Sequence, residues 1–269
     1  MLFDHVFAAL LVVGLPVHAQ LVSHALVRRV GRGLPRARMQ AYAVAVLTQW
    51  ALAAVVAVRW LATGRPWPEL GLAEPAAGSA GYSILILFLA AAAAVRVWSQ
   101  VGADPDARRT VRAQFAAVEA LLPRSAGERN AAWLVAVTAG VCEELLFRGY
   151  LFWWLRGFVG ELPAMALAAL SFGLCHAYQG WRGVAKTTFV GLSLGALVLV
   201  TESLALAVAL HAFIDLNAFA LAHAVLAREE EDDPLRGLDA WLDAAPDPDA
   251  GETEDEGWGG PDGGLFGPL

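Results

Sequence analysis

The chain has 269 residues, of which 58% are hydrophobic and 17% charged, and its mean hydropathy is +0.53. Soluble domains sit at roughly 45–50% apolar and about 25% charged, so an ordinary water-soluble globule is excluded and lipid is the solvent for most of the chain. The net charge of −7 hides an asymmetry: residues 1–227 carry 17 Lys/Arg against 12 Asp/Glu, whereas residues 228–269 carry 2 against 14. A mildly basic body with an acidic tail does not suit nucleic-acid binding.

A membrane helix needs about 20 mainly apolar residues to cross ~30 Å of hydrocarbon. The first such stretch, about 3–26, opens with MLFDH, which lacks Lys and Arg. It stays apolar past Val17-His18-Ala19, so it reads as a retained span rather than a cleaved signal. Further spans are predicted at about 39–61, 81–99, 131–155, 162–178, 184–200 and 203–227. The fold class expected is all-α, a polytopic transmembrane helix bundle of about seven spans. The fifth and sixth are short, and the hairpin joining them reads as partly re-entrant.

Between the third and fourth spans, ARRTVRAQFAAVEALLP (107–123) repeats Val111, Phe115, Val118 and Leu122 at three- and four-residue steps opposite a basic face. This pattern fits a helix in the headgroup plane or a soluble connecting helix. From residue 228 the composition turns rich in Asp, Glu, Gly and Pro, which predicts disorder. The organisation expected is therefore N-terminal helices with an interfacial segment (1–130), a helical core (131–227) and an acidic tail (228–269).

Of the 19 cations, 15 fall on one side of the predicted spans, three on the other, and Arg148 lies inside one. The positive-inside asymmetry predicts the N-terminus outside and the tail in the cytoplasm. An Ala- and Arg-rich composition points to a bacterial plasma membrane. Cys142 and Cys175 have neither disulfide nor metal-knuckle spacing and read as packing residues.

An ionisable group inside a span costs several kcal/mol unless it is paired or lines a cavity. Residues 131–227 hold Glu143, Glu144, Arg148, His176, His211, Asp215 and His223 within their apolar runs. Glu144 and Arg148, four apart with the acid first, suit an ion pair on one helix face, which leaves Glu143 for general-base work. His211 and Asp215, also four apart, can hydrogen-bond or face one reaction centre. One Glu and two His from three helices can close on a polar cavity and activate water, with or without a metal. His223, alone in its turn, reads as a helix–helix contact. Gly191 and Gly195 suit close helix packing, within one chain or between two.

Taken together, EELLFR (143–148), FGLCH (172–176) and HAFID (211–215) resemble the CPBP family of CAAX proteases and bacteriocin-processing enzymes. That family carries E-E-x-x-x-R, F-x-x-x-H and H-x-x-x-N/D on successive membrane helices. The resemblance covers roughly residues 131–227 and implies an intramembrane endopeptidase acting on a membrane-anchored protein or peptide. It implies Glu143 polarising the attacking water with His176 assisting, and Glu144 and Arg148 holding the first motif, with Phe172 in support. His211 and Asp215 would stabilise the oxyanion or orient the site. The prenyl-protein branch generally has Asn where Asp215 stands, and an amide donates where a carboxylate does not.

The family's metalloprotease label makes zinc possible, with Glu143, His176 and His211 as the set. No HExxH is present, and a metal-free glutamate mechanism uses the same residues. The competing readings are a non-catalytic scaffold or immunity protein of the same fold and a proton-coupled transporter.

Overall fold

A computed structural model describes residues 1–232, and Met1–Arg228 form one compact unit. The described residues are helices joined by short connections: α1 (Leu2–Gly31), α2 (Ala37–Ala62), α3 (Ser79–Ala103), α4 (Pro105–Phe115), α5 (Ala126–Val159), α6 (Glu161–Cys175), α7 (Gly180–Thr201) and α8 (Ala205–Asp232). All except α4 and α6 are long and apolar enough to cross a membrane, the α7 span being counted from Ala177. Helix α8 runs through the start of the predicted acidic tail, and the rest of the tail lies outside the described residues.

Local chemistry sets these boundaries. Asp104 caps α4 by accepting the Asp106 amide at 2.8 Å, with Pro105 in the first turn where its missing N–H costs nothing. Ser125 caps α5 by accepting the Glu128 amide, and Glu128 reaches back to the Arg124 amide at 2.7 Å. That exchange is a capping box displaced by one residue.

Helix α6 has 15 residues, or roughly 22 Å at 1.5 Å per residue, short of ~30 Å of hydrocarbon. It ends at His176 and turns through the 3-10 segment Ala177–Gln179 into α7, the hairpin expected to be re-entrant. The apolar face of α3 is open to lipid, with Ile84, Phe88 and Val95 each more than 60% exposed.

Two polar clusters lock the ends of the bundle. At one end Asp4 accepts both guanidinium arms of Arg65 at 3.0 Å, Nη2 of Arg59 at 2.9 Å and the Tyr150 hydroxyl at 3.0 Å. At the other, Arg38 and Tyr42 of α2 donate to the carbonyls of Ala120 and Leu121. Phe115 and Val118 pack there with Leu122 against Ala222 and Leu226 of α8. The 107–123 segment thus meets the protein through the hydrophobic stripe read from its sequence.

Candidate active site

Helix α5 carries the first motif at its middle, where its backbone widens into π-type turns over Glu144–Leu151. Such turns are rare and cluster at functional sites. On this helix Ala132, Ala136, Gly140 and Glu144 recur every four residues, a buried stripe of small side chains ending in a carboxylate. A Cβ on Gly140 would stand 2.8 Å from the backbone nitrogen of Ala212. Glycine therefore admits α8 at the residue next to His211.

That approach closes a buried triad. His211 Nδ1 donates to Glu144 Oε1 at 2.7 Å, and Arg148 Nη1 donates to the same oxygen at 2.8 Å. The guanidinium lies over the Phe172 ring, 4.4 Å from its centroid, so Phe172 joins the first motif to the second. Gly191 lies beneath: a Cβ there would meet Arg148 Nη2 at 3.1 Å and the Phe172 ring at 3.2 Å. The Gly191 and Gly195 faces are thus used inside the chain, Gly195 against Met165. Glu144 and Arg148 are sealed from solvent, and Glu144 Oε2, Arg148 Nε and Arg148 Nη2 have no partner among the described residues.

Glu143 turns away from this triad. Its Oε1 accepts Gln49 Nε2 of α2 at 2.8 Å, and its Oε2 lies 3.8 Å from His211 Nε2. Asp215 Oδ2 lies 3.7 Å from the same nitrogen. Both separations exceed a direct hydrogen bond and suit one bridging water. His211 therefore bonds Glu144 rather than Asp215, its neighbour one turn on. Glu144 holds the third motif as well as the first. His176, at the C-terminus of α6, donates Nδ1–H to the Phe172 carbonyl at 3.0 Å.

Glu143, His176 and Asp215 line one cavity of about 260 Å³, with Gln49, Thr48 and Tyr178 among its polar groups and Leu15, Val135 and Phe147 among its apolar ones. His211 stands behind its wall at 5% exposure. His223 reaches the Pro123 carbonyl at 3.4 Å, away from the cavity. Among the described residues no three His, Cys, Asp or Glu side chains gather to hold a metal ion. The set Glu143, His176 and His211 does not converge in that way and does not fit one.

Gln49 lies outside all three motifs. Charged and histidine side chains beyond residue 130 point to the site, whereas the partner of Glu143 is a neutral amide at residue 49, which sequence reasoning missed. The polarity pattern carried a signal: Thr48 and Gln49 are the polar residues in the apolar run from Ala43 to Val58.

A helix bundle with six helices among the described residues long and apolar enough to cross a membrane, burying paired carboxylates and histidines beside a small cavity, defines an integral membrane protein with a polar pocket among its helices. Residues 128–217 match the family model described as type II CAAX prenyl endopeptidase Rce1-like. All three motifs fall inside that segment, so the similarity to that family covers the part of the chain that carries the buried polar residues. No curated protein and no solved structure matches the chain.

Proposed function

We propose that the chain is an intramembrane endopeptidase that hydrolyses a peptide bond of a membrane-anchored protein or peptide with water activated by Glu143. The observation that carries this reading is the placement of Glu143. One of its oxygens is fixed by Gln49, the other faces His211 Nε2, which Asp215 also approaches, and the carboxylate lines a cavity shared with His176 and Asp215. Hydrolysis inside lipid needs water where lipid excludes it, and a polar pocket among helices supplies it.

In this reading water sits between Glu143 Oε2, Asp215 and His211 Nε2. Glu143 takes its proton as the oxygen attacks the scissile carbonyl carbon, and the carbonyl electron pair moves onto its oxygen. On collapse the C–N bond breaks and the proton held by Glu143 passes to the leaving amine. His176, its Nδ1–H given to Phe172, turns a lone pair at Nε2 and assists the proton transfer. His211, likewise committed through Nδ1, orients the water.

The test is cleavage of a panel of membrane-anchored peptides, prenylated and unprenylated, by wild type and Glu143→Gln, with and without a chelator. Expected are cleavage by the wild type, a loss of at least about 10³-fold in kcat for Glu143→Gln with the fold retained, and indifference to the chelator. Loss on chelation with rescue by zinc would replace the glutamate mechanism with a metal-dependent one. No cleavage by folded wild type would leave the scaffold reading, and uptake without a cleaved product the transporter.

A further inference from the structure

The polar groups gathered round Glu143 accept hydrogen bonds or have already given their protons away. Glu143 and Asp215 are carboxylates. His176 spends Nδ1–H on Phe172, and His211 spends its own on Glu144 and turns Nε2 toward the carboxylates of Glu143 and Asp215. Gln49 spends Nε2 on Glu143, and Arg148 is sealed behind the wall. A tetrahedral oxyanion needs a donor, and Asp215 stands where an amide would have offered one.

Tyr178 holds a proton for which the described residues provide no acceptor. It lies two residues past His176, in the turn Ala177–Gln179, and lines the same cavity as Glu143, His176 and Asp215. Its ring centroid is 6.0 Å from that of His176. Gln179 Nε2 donates to the Tyr178 hydroxyl at 3.3 Å, which occupies a lone pair, leaves the O–H free to point elsewhere and polarises it as a donor. Gly183, one helical turn on, makes room for this arrangement: a Cβ there would overlap the Gln179 side chain. The hydroxyls of Ser23 and Thr48 and the exposed ring of His18 also reach the cavity. A phenol is the more acidic donor, and helical Ser and Thr tend to return their protons to carbonyls of the preceding turn.

Resting on the peptidase reading above, we propose that the Tyr178 O–H donates to the oxyanion of the tetrahedral intermediate, supplying the donor that Asp215 does not. Tyr178 is then a catalytic residue, and Gln179 positions it.

The experiment compares kcat, KM and thermal midpoint for wild type, Tyr178→Phe, Thr48→Val, Asp215→Asn and the Tyr178→Phe/Asp215→Asn double variant on one cleaved peptide. Tyr178→Phe is expected to lower kcat by about 10²–10³-fold with KM and thermal midpoint little changed. Adding Asp215→Asn is expected to restore part of that loss by supplying an amide donor. A Tyr178→Phe enzyme within about threefold of wild type, or a Thr48→Val enzyme carrying the loss instead, overturns the proposal while leaving the peptidase reading intact. A loss of kcat matched by a fall in thermal midpoint and no rescue by Asp215→Asn overturns it as a structural effect. A wild type that cleaves no peptide removes the peptidase reading and this role with it.

Discussion

At the scale of single residues the adjacent carboxylates divide their work by direction. Glu144 points into the bundle and takes Arg148 and His211 on one oxygen; Glu143 points to the cavity and takes Gln49. Glu144→Ala leaves Arg148 buried without a counter-charge, and breaking a buried pair in this way costs about 3–5 kcal/mol. A large fall in thermal midpoint with little folded protein recovered is therefore expected.

Gln49→Leu is expected to keep the fold and lower kcat by about tenfold or more, since a hydrogen bond to a charged group contributes roughly 1.5–3 kcal/mol. In the Glu143→Gln background the same change should add nothing, because Gln49 acts through Glu143; a full additional loss would place it elsewhere. The Glu144–Arg148 pair was legible because four-residue spacing on a helix dictates it. Gln49 was not, because nothing local ties residue 49 to residue 143.

At the scale of elements, small residues decide how close the motif-bearing helices come. Gly140→Ala forces a methyl group against the Ala212 backbone and should displace His211 from Glu144, costing at least about tenfold in activity along with thermal stability. Gly127→Ala, in open space near the start of the same helix, is the control and is expected to leave activity unchanged. The short α6 could be read in advance, since apolar run length sets span length. The π-type turns after Glu143 could not: EELLFRGYL has no proline, a single Gly149 does not specify them, and the contacts made from them, Tyr150 to Asp4 and Arg148 to Glu144, include one to a residue 146 positions away.

At the scale of the whole molecule, the core alone does not enclose the cavity. Helices α1 and α2 contribute Leu15, His18, Thr48 and Gln49 to its walls, so a 131–227 fragment is expected to lack both the chamber and activity. We propose the orientation with the N-terminus outside. Impermeant maleimide on intact cells should label Glu74→Cys, in the connection after α2, and not Arg32→Cys, in the connection before it. The reverse pattern would invert the topology. Cys142 and Cys175 are buried and should stay silent.

The Asp4 cluster also has a history in time. Arg59 and Arg65 follow Asp4 within about sixty residues, but Tyr150 is 146 residues away in sequence. At roughly 5–20 residues per second, the ribosome makes Tyr150 about 7–30 s after Asp4. During that interval the hydroxyl partner of the Asp4 carboxylate does not yet exist. The N-terminal helix can take its final seat only after the helix bearing the acidic pair has been delivered, so insertion and assembly of this chamber are separate events in its biogenesis.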